Sequence, residues 1–261
     1  MYKRQGGYTV RAIDETESAA GSALARITGK QEQLDTVGHM AAVQNHDVLG
    51  RITVCDTLED TVTGTGLVTE AAWENLDVKK QLLGLIEPLV DEHTILASNS
   101  SSFPISESAR DLAHPERAVV THWFNPPHVI PVVEVGGGER TSDQTVDTAL
   151  ATLESIGKTA IRIDKELTGF LVNRVQVAMF REVFDLLARG VATASEIDRA
   201  IRGSMGLRLA ALGPLAIIDY AGWDISSATF ANLAPDMRGD AAVSYTHLRA
   251  HETEAGRVCR L

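Results

Sequence analysis

Residues 94–135 read TILASNSSSFPISESARDLAHPERAVVTHWFNPPHVIPVVEV. Three short apolar runs, Thr94–Ala97, Ala118–Thr121 and Val129–Val135, are bounded by Ser, Asn, Pro and Gly and read as strands. Between the first two, Pro104–Leu112 reads as a helix with proline in its opening turn, where the missing N–H costs nothing. Upstream, Val10–Ile13, Arg51–Cys55 and Leu67–Ala71 read as strands, and Glu17–Ile27, Glu32–Asn45 and Val78–Val90 as helices. The last carries Val78, Leu82, Leu85, Ile86 and Leu89 at helical spacing. Downstream come a helix over Thr145–Ile156 and a strand over Ala160–Ile163. Strand–helix alternation predicts an α/β fold with a parallel, doubly wound sheet. From Leu167 onward helical periodicity dominates. Leu171–Arg189 forms a long amphipathic helix closed by Gly190, and Ser195 starts another with Glu196 and Asp198 in its first turn. The boundary falls near Glu166, giving an α/β domain over 6–165 and an all-helical domain over 166–242.

The chain has 261 residues, 44% of them hydrophobic and 23% charged, enough apolar material for real cores. Its formal net charge of -11 repels phosphate backbones and anionic lipid, so neither nucleic acid nor a membrane is expected as a partner. The apolar run Leu209–Trp223 is broken by Pro214 and Asp219 and is too short to span a bilayer. Only Cys55 and Cys259 are present, without a CxxC pair, which fits a reduced, cytoplasmic setting. Both ends read as foreign. Met1–Gln5 and Val243–Thr253 resemble translated sequencing adapters, which leaves Gly6–Ala242 as the expected native stretch.

In doubly wound dinucleotide folds an acid closing the second strand bonds the ribose 2′-hydroxyl. Asp14 occupies that place if Gly6–Ile13 is the second strand, and a carboxylate there favours NAD over NADP. An acid at a strand end is more often a simple cap. The glycine fingerprint GxGxxG belongs about 20 residues upstream, before this chain begins; a chain without it is expected to hold NAD poorly.

Four segments carry chemistry. They are Ser98–Phe103 (SNSSSF), Thr121–Pro127 (THWFNPP), Val132–Val135 (VVEV) and Thr168–Arg174 (TGFLVNR). Singly each has a plain structural reading: a polar turn, a satisfied histidine, an edge-strand carboxylate, a helix-start asparagine. In this order and spacing they resemble the 3-hydroxyacyl-CoA dehydrogenase family, whose motifs read SNTSS, HFFNP, VEV and PGFxxNR. Ser100, Trp123 and Thr168 are mild departures. The resemblance covers nearly all of Gly6–Ile225.

The resemblance implies a Rossmann-type domain, here without its first strand and glycine loop, followed by a truncated helical domain. It implies NAD as cofactor, His122 as catalytic base and Glu134 as the carboxylate orienting it. Ser101 and Asn173 would bind the reacting oxygen and position the substrate. Glu74, Lys79 and Asn125 match cofactor-side positions, and no residue is implied as a metal ligand. The expected reaction moves hydride from C3 of a 3-hydroxyacyl-CoA of fatty acid metabolism to NAD. Arg208 and the NPPHVIP run at 125–131 look more like a branch that includes L-gulonate 3-dehydrogenase and lambda-crystallin. There Arg208 would pair with the carboxylate of a free 3-hydroxy acid; a surface role for it is equally open. A catalytically silent fragment or structural homologue is the third reading. The resemblance also implies a homodimer through the helical domain for the full-length protein, a surface that the truncated tail would largely remove.

Overall fold

The computed structural model describes residues 7–14, 16, 21–29 and 49–237. The expected helix Glu32–Asn45, both adapter-like ends and Cys259 lie outside the described residues. The chain divides into two compact units, Met1–Arg174 and Val175–Leu261.

In the first unit, strand β1 (Val10–Ala12) pairs in parallel with β2 (Ile52–Val54). A five-stranded sheet follows in the order β3 (Leu67–Glu70), β4 (Ile95–Ser98), β5 (Ala118–Trp123), β6 (Val132–Gly137) and β7 (Thr159–Ile163). Helices are α1 over 21–29, α2 (Leu58–Val62), α3 (Leu76–Ile86), α4 (Ile105–Ser108) and α5 (Asp143–Ser155). Asn75 starts α3 by accepting hydrogen bonds from the N–H groups of Asp77 and Val78. Gly157 at φ 77° ends α5, with the N–H of Lys158 returning to the Leu153 carbonyl at 3.1 Å.

Three expectations need correction. First, the sheet is not wholly parallel, because β5 and β6 run antiparallel. Only eight residues, 124–131, join them, too few for a crossover helix. Second, the strand expected over Val129–Val135 starts at Val132. Val129 and Ile130 instead close a turn, both donating to the Pro126 carbonyl. Third, the helix expected over Pro104–Leu112 shrinks to Ile105–Ser108. Arg140 takes the carbonyls of Ala109 and Arg110, and the Glu87 carboxylate takes the N–H groups of Ala113 and His114. Tertiary partners there replace the helical bonds.

Alternation along the strands builds two cores, one on each face of the sheet. Leu96, Ala118 and Val120 pack with Leu83, Ile86, Ile105 and Phe170 on one face. Ile95, Ala97, Val119, Val133 and Val135 pack with Val146, Ala149 and Leu153 of α5 on the other. Helices on both faces are the doubly wound arrangement.

Helix α6 (Val172–Ala188) starts in the first unit and continues into the second. It ends at Gly190 (φ 66°), with Gly190 N–H to Leu187 and Val191 N–H to Leu186. Helix α7 (Ala194–Ile201) is capped by Thr193, whose hydroxyl accepts from the Glu196 N–H, so the start expected at Ser195 moves back. A π-type turn over Arg202–Gly206, α8 (Pro214–Ala221) and α9 (Trp223–Leu233) complete the described helical part. No single described helix is long and apolar enough to cross a membrane.

Leu96 is fully buried in a central strand, whereas Leu85 is 54% exposed on α3. Denaturant unfolding should show Leu96→Ala losing about 2–5 kcal/mol and Leu85→Ala about 1 kcal/mol or less. Equal losses would mean that α3 and the sheet are packed differently.

Candidate active site

The antiparallel register of β5 and β6 sets His122 directly opposite Glu134. Val133 and Val135 belong to the α5-side core, so Glu134 points to the opposite face, the one His122 shares with Ala118 and Val120. The result is a buried pair, 3% and 1% exposed, with His122 Nδ1 2.8 Å from Glu134 Oε2. The other oxygen, Oε1, accepts the N–H groups of Leu171 at 3.1 Å and Val172 at 2.9 Å. These are orphan donors at the start of α6, where backbone dipoles favour negative charge. An ionised carboxylate only accepts, so Nδ1 is the nitrogen that carries a proton beside it, and in the neutral ring Nε2 keeps the lone pair. Phe124 and Phe170 flank the ring at 4.5 Å and 5.4 Å.

The segment entering α6 is bent to reach this carboxylate. Gly169 sits at φ 77°, and its N–H donates to the Ser102 carbonyl at 3.0 Å. Phe170 adopts φ 51°, a region that costs a non-glycine residue on the order of 1 kcal/mol. Its burial at 3% exposure offsets this. Asn173 follows, and its Nδ2 donates to the Ser101 carbonyl at 3.0 Å. These bonds tie Gly169–Asn173 into the first unit, which runs to Arg174. His122, Glu134, Ser101 and Asn173 therefore form one connected group.

A second network, around Glu74, organises the serine loop after β4. Glu74 Oε1 accepts the Ser100 hydroxyl at 2.7 Å, the Ser102 hydroxyl at 2.8 Å, and the N–H groups of Ser101 and Ser102. Burial pushes this carboxyl up, but the serine hydrogen bonds and the Lys79 charge outweigh it and bring its pKa down to about 2. Lys79 is fully buried, with Nζ 3.4 Å from Glu74 and 3.1 Å from Glu70. Sequence reasoning missed Glu70, Ser98 and Ser102. Glu70 ends β3, is 2% exposed, and accepts from Ser98 Oγ at 2.6 Å as well as from Lys79. One signal was readable: a carboxylate closing the short strand Leu67–Glu70 needs a partner if it is buried, although the sequence does not say which.

Asp14, Glu74, Ser101 and Asn125 each follow the carboxyl end of a strand, the edge where open α/β sheets bind nucleotides. Asp14 and Asn125 are exposed. An exposed carboxylate two residues beyond β1 fits a ribose hydroxyl donor, and the serine loop supplies polar groups at the same type of edge, so these residues fit NAD. Arg208 is exposed in the second unit.

Comparisons with known proteins match this fold. Residues 2–167 match the family model described as 3-hydroxyacyl-CoA dehydrogenase, NAD binding domain, and residues 169–258 match its C-terminal domain. L-carnitine dehydrogenase of Streptomyces griseus is 38% identical, over 83% of this chain and 63% of its own. Lambda-crystallin of Oryctolagus cuniculus is 32% identical, over 82% of this chain and 68% of its own. A solved 5-formyl-3-hydroxy-2-methylpyridine 4-carboxylic acid 5-dehydrogenase, described as NAD+ dependent, superposes with a TM-score of 0.83 at 33% identity. That match covers 96% of this chain and 81% of the other. The chain thus spans about two thirds of the length of these two curated relatives.

The depressed Glu74 pKa has a consequence for acid stability. The folded value, about 2, lies below the ordinary 4.5, so the stabilisation is present above pH 4.5 and is lost as pH falls toward 2. Acid unfolding followed by circular dichroism should therefore fall less steeply in this window for Glu74→Gln than for the parent. Parallel curves would contradict the hydrogen-bonded carboxylate.

Proposed function

The chain belongs to the 3-hydroxyacyl-CoA dehydrogenase family, and on that footing we propose that it oxidises the hydroxyl of a small free hydroxy acid. The observation that carries this reading is the buried His122–Glu134 pair, in which Nδ1 and not Nε2 meets the carboxylate. Imidazole has a pKa near working pH and suits the removal of a hydroxyl proton. His122 Nε2 takes that proton, and Glu134 holds the ring in the tautomer that can accept it and stabilises the cation that results. Bound NAD would supply the acceptor for the hydride that leaves the carbon bearing the hydroxyl. Ser101 and Asn173 orient the substrate oxygen and, with protonated His122, donate to it as it becomes a carbonyl. Asp14, Glu74, Lys79 and Asn125 serve the cofactor side, with Lys79 acting from beneath through Glu74.

The free-acid choice draws on a relative whose name gives L-carnitine, not a thioester, as its substrate. Arg208 is the proposed partner of the substrate carboxylate. The family description keeps a second reading in play, a 3-hydroxyacyl-CoA thioester as substrate.

Assays with excess NAD, comparing free 3-hydroxy acids, L-carnitine among them, with 3-hydroxybutyryl-CoA, separate the two. NADH formation from a free acid is expected, with His122→Ala lowering kcat by about 10²–10⁴-fold and Arg208→Ala raising KM for the acid alone. Turnover of the thioester only contradicts the free-acid reading, and a free-acid KM unchanged in Arg208→Ala contradicts the role given to Arg208.

A further inference from the structure

The eight residues 124–131 connect the strand that carries His122 to the strand that carries Glu134. Pro126, Pro127 and Pro131 have no backbone N–H to give. Within this connection, the N–H groups of Val129 and Ile130 both donate to the Pro126 carbonyl. Its carbonyls must find donors elsewhere, and two of them find the same one. Lys158 Nζ donates to Pro127 O at 2.7 Å and to Ile130 O at 2.5 Å.

Lys158 is placed for this by the end of α5. Gly157 turns the chain, Lys158 follows at 4% exposure, and the Thr159 N–H donates to Pro131 O at 3.0 Å as β7 begins. Its ammonium also lies 5.2 Å from the centroid of the Trp123 ring, the residue directly after His122. A buried ammonium is tolerated only where other groups replace its water. Here two carbonyl dipoles and an aromatic face do so. Burial lowers the Lys158 pKa to about 8, so the amine still carries its charge at neutral pH.

We propose that Lys158 is a positioning residue of the active site: seated on Trp123, it clamps the 124–131 connection, and through it sets Phe124 against His122 and presents Asn125 at the cofactor edge. The catalytic part of this assignment rests on the dehydrogenase reading above; the clamp itself does not. Phe124 and Asn125 open the connection, so freeing its far side loosens both. The Phe124 ring packs 4.5 Å from the His122 ring, and Asn125 is exposed where a cofactor would meet it. Lys158 touches no reacting atom in this account. Its effect should therefore appear more in KM for NAD than in kcat.

The test compares Lys158→Met, which keeps the length and removes the donors, with Lys158→Arg, which keeps donors and charge. In the Met variant, hydrogen exchange at Val129, Ile130 and Thr159 is expected to quicken by about tenfold or more, while β3 and β4 amides stay unchanged. KM for NAD should rise by about tenfold with kcat changed less than about threefold, and Lys158→Arg should recover most of both. Unchanged exchange and kinetics in the Met variant overturn the proposal. So does loosening spread evenly through β3–β5 with no recovery by arginine, which marks Lys158 as a general stabiliser. If the parent protein oxidises no hydroxy acid or thioester, the dehydrogenase reading fails, and loop exchange alone still decides whether Lys158 clamps the connection.

Discussion

One carboxylate holds the site together. Glu134 spends one oxygen on the His122 ring and the other on two N–H groups at the start of α6. A single buried anion thus fixes the tautomer of the His122 ring and the point where the helix begins. Removing one partner from a buried, hydrogen-bonded ionic array costs about 3–5 kcal/mol, so the histidine, the strand pairing and the helix entry stand or fall together. The bend at Gly169 and Phe170 follows from this demand. The chain accepts an unfavourable φ at Phe170 to bring the next two amides onto Glu134 and the Asn173 amide onto the serine loop.

The Glu74 network answers the same problem on the neighbouring edge. A loop of consecutive serines has no intrinsic shape, and four hydrogen bonds to a single carboxylate oxygen give it one. Lys79 and Glu70 sit beneath as counter-charges, out of water, and Ser98 completes the set. The two networks meet where the Ser101 carbonyl accepts from Asn173. Rigid polar groups facing one edge are what catalysis by preorganisation requires.

Much of this was legible in the amino-acid sequence, and the failures are specific. Strand–helix alternation gave the α/β class, and the ordered motifs gave His122, Glu134, Ser101 and Asn173, which the structure brings together. The antiparallel turn from β5 to β6 was misread because apolar runs do not report direction, although eight connecting residues should have excluded a crossover. Residues 109–112 left the helix because Arg140 and Glu87, distant in sequence, offered better partners. Glu70 was overlooked because its role depends on Lys79 folding back over the sheet, a contact that no local pattern encodes. Ser195 looked like a cap, yet Thr193 two residues earlier offers a hydroxyl at the right place.

The central claim is that Glu134 sets the proton on Nδ1 of His122 and leaves Nε2 bare. Long-range ¹H–¹⁵N correlation spectra of imidazole-labelled protein near neutral pH read this directly. The account predicts a protonated Nδ1 and an unprotonated Nε2 for His122, with that pattern lost in Glu134→Gln. A neutral ring protonated at Nε2, or a pattern indifferent to Glu134→Gln, would contradict it.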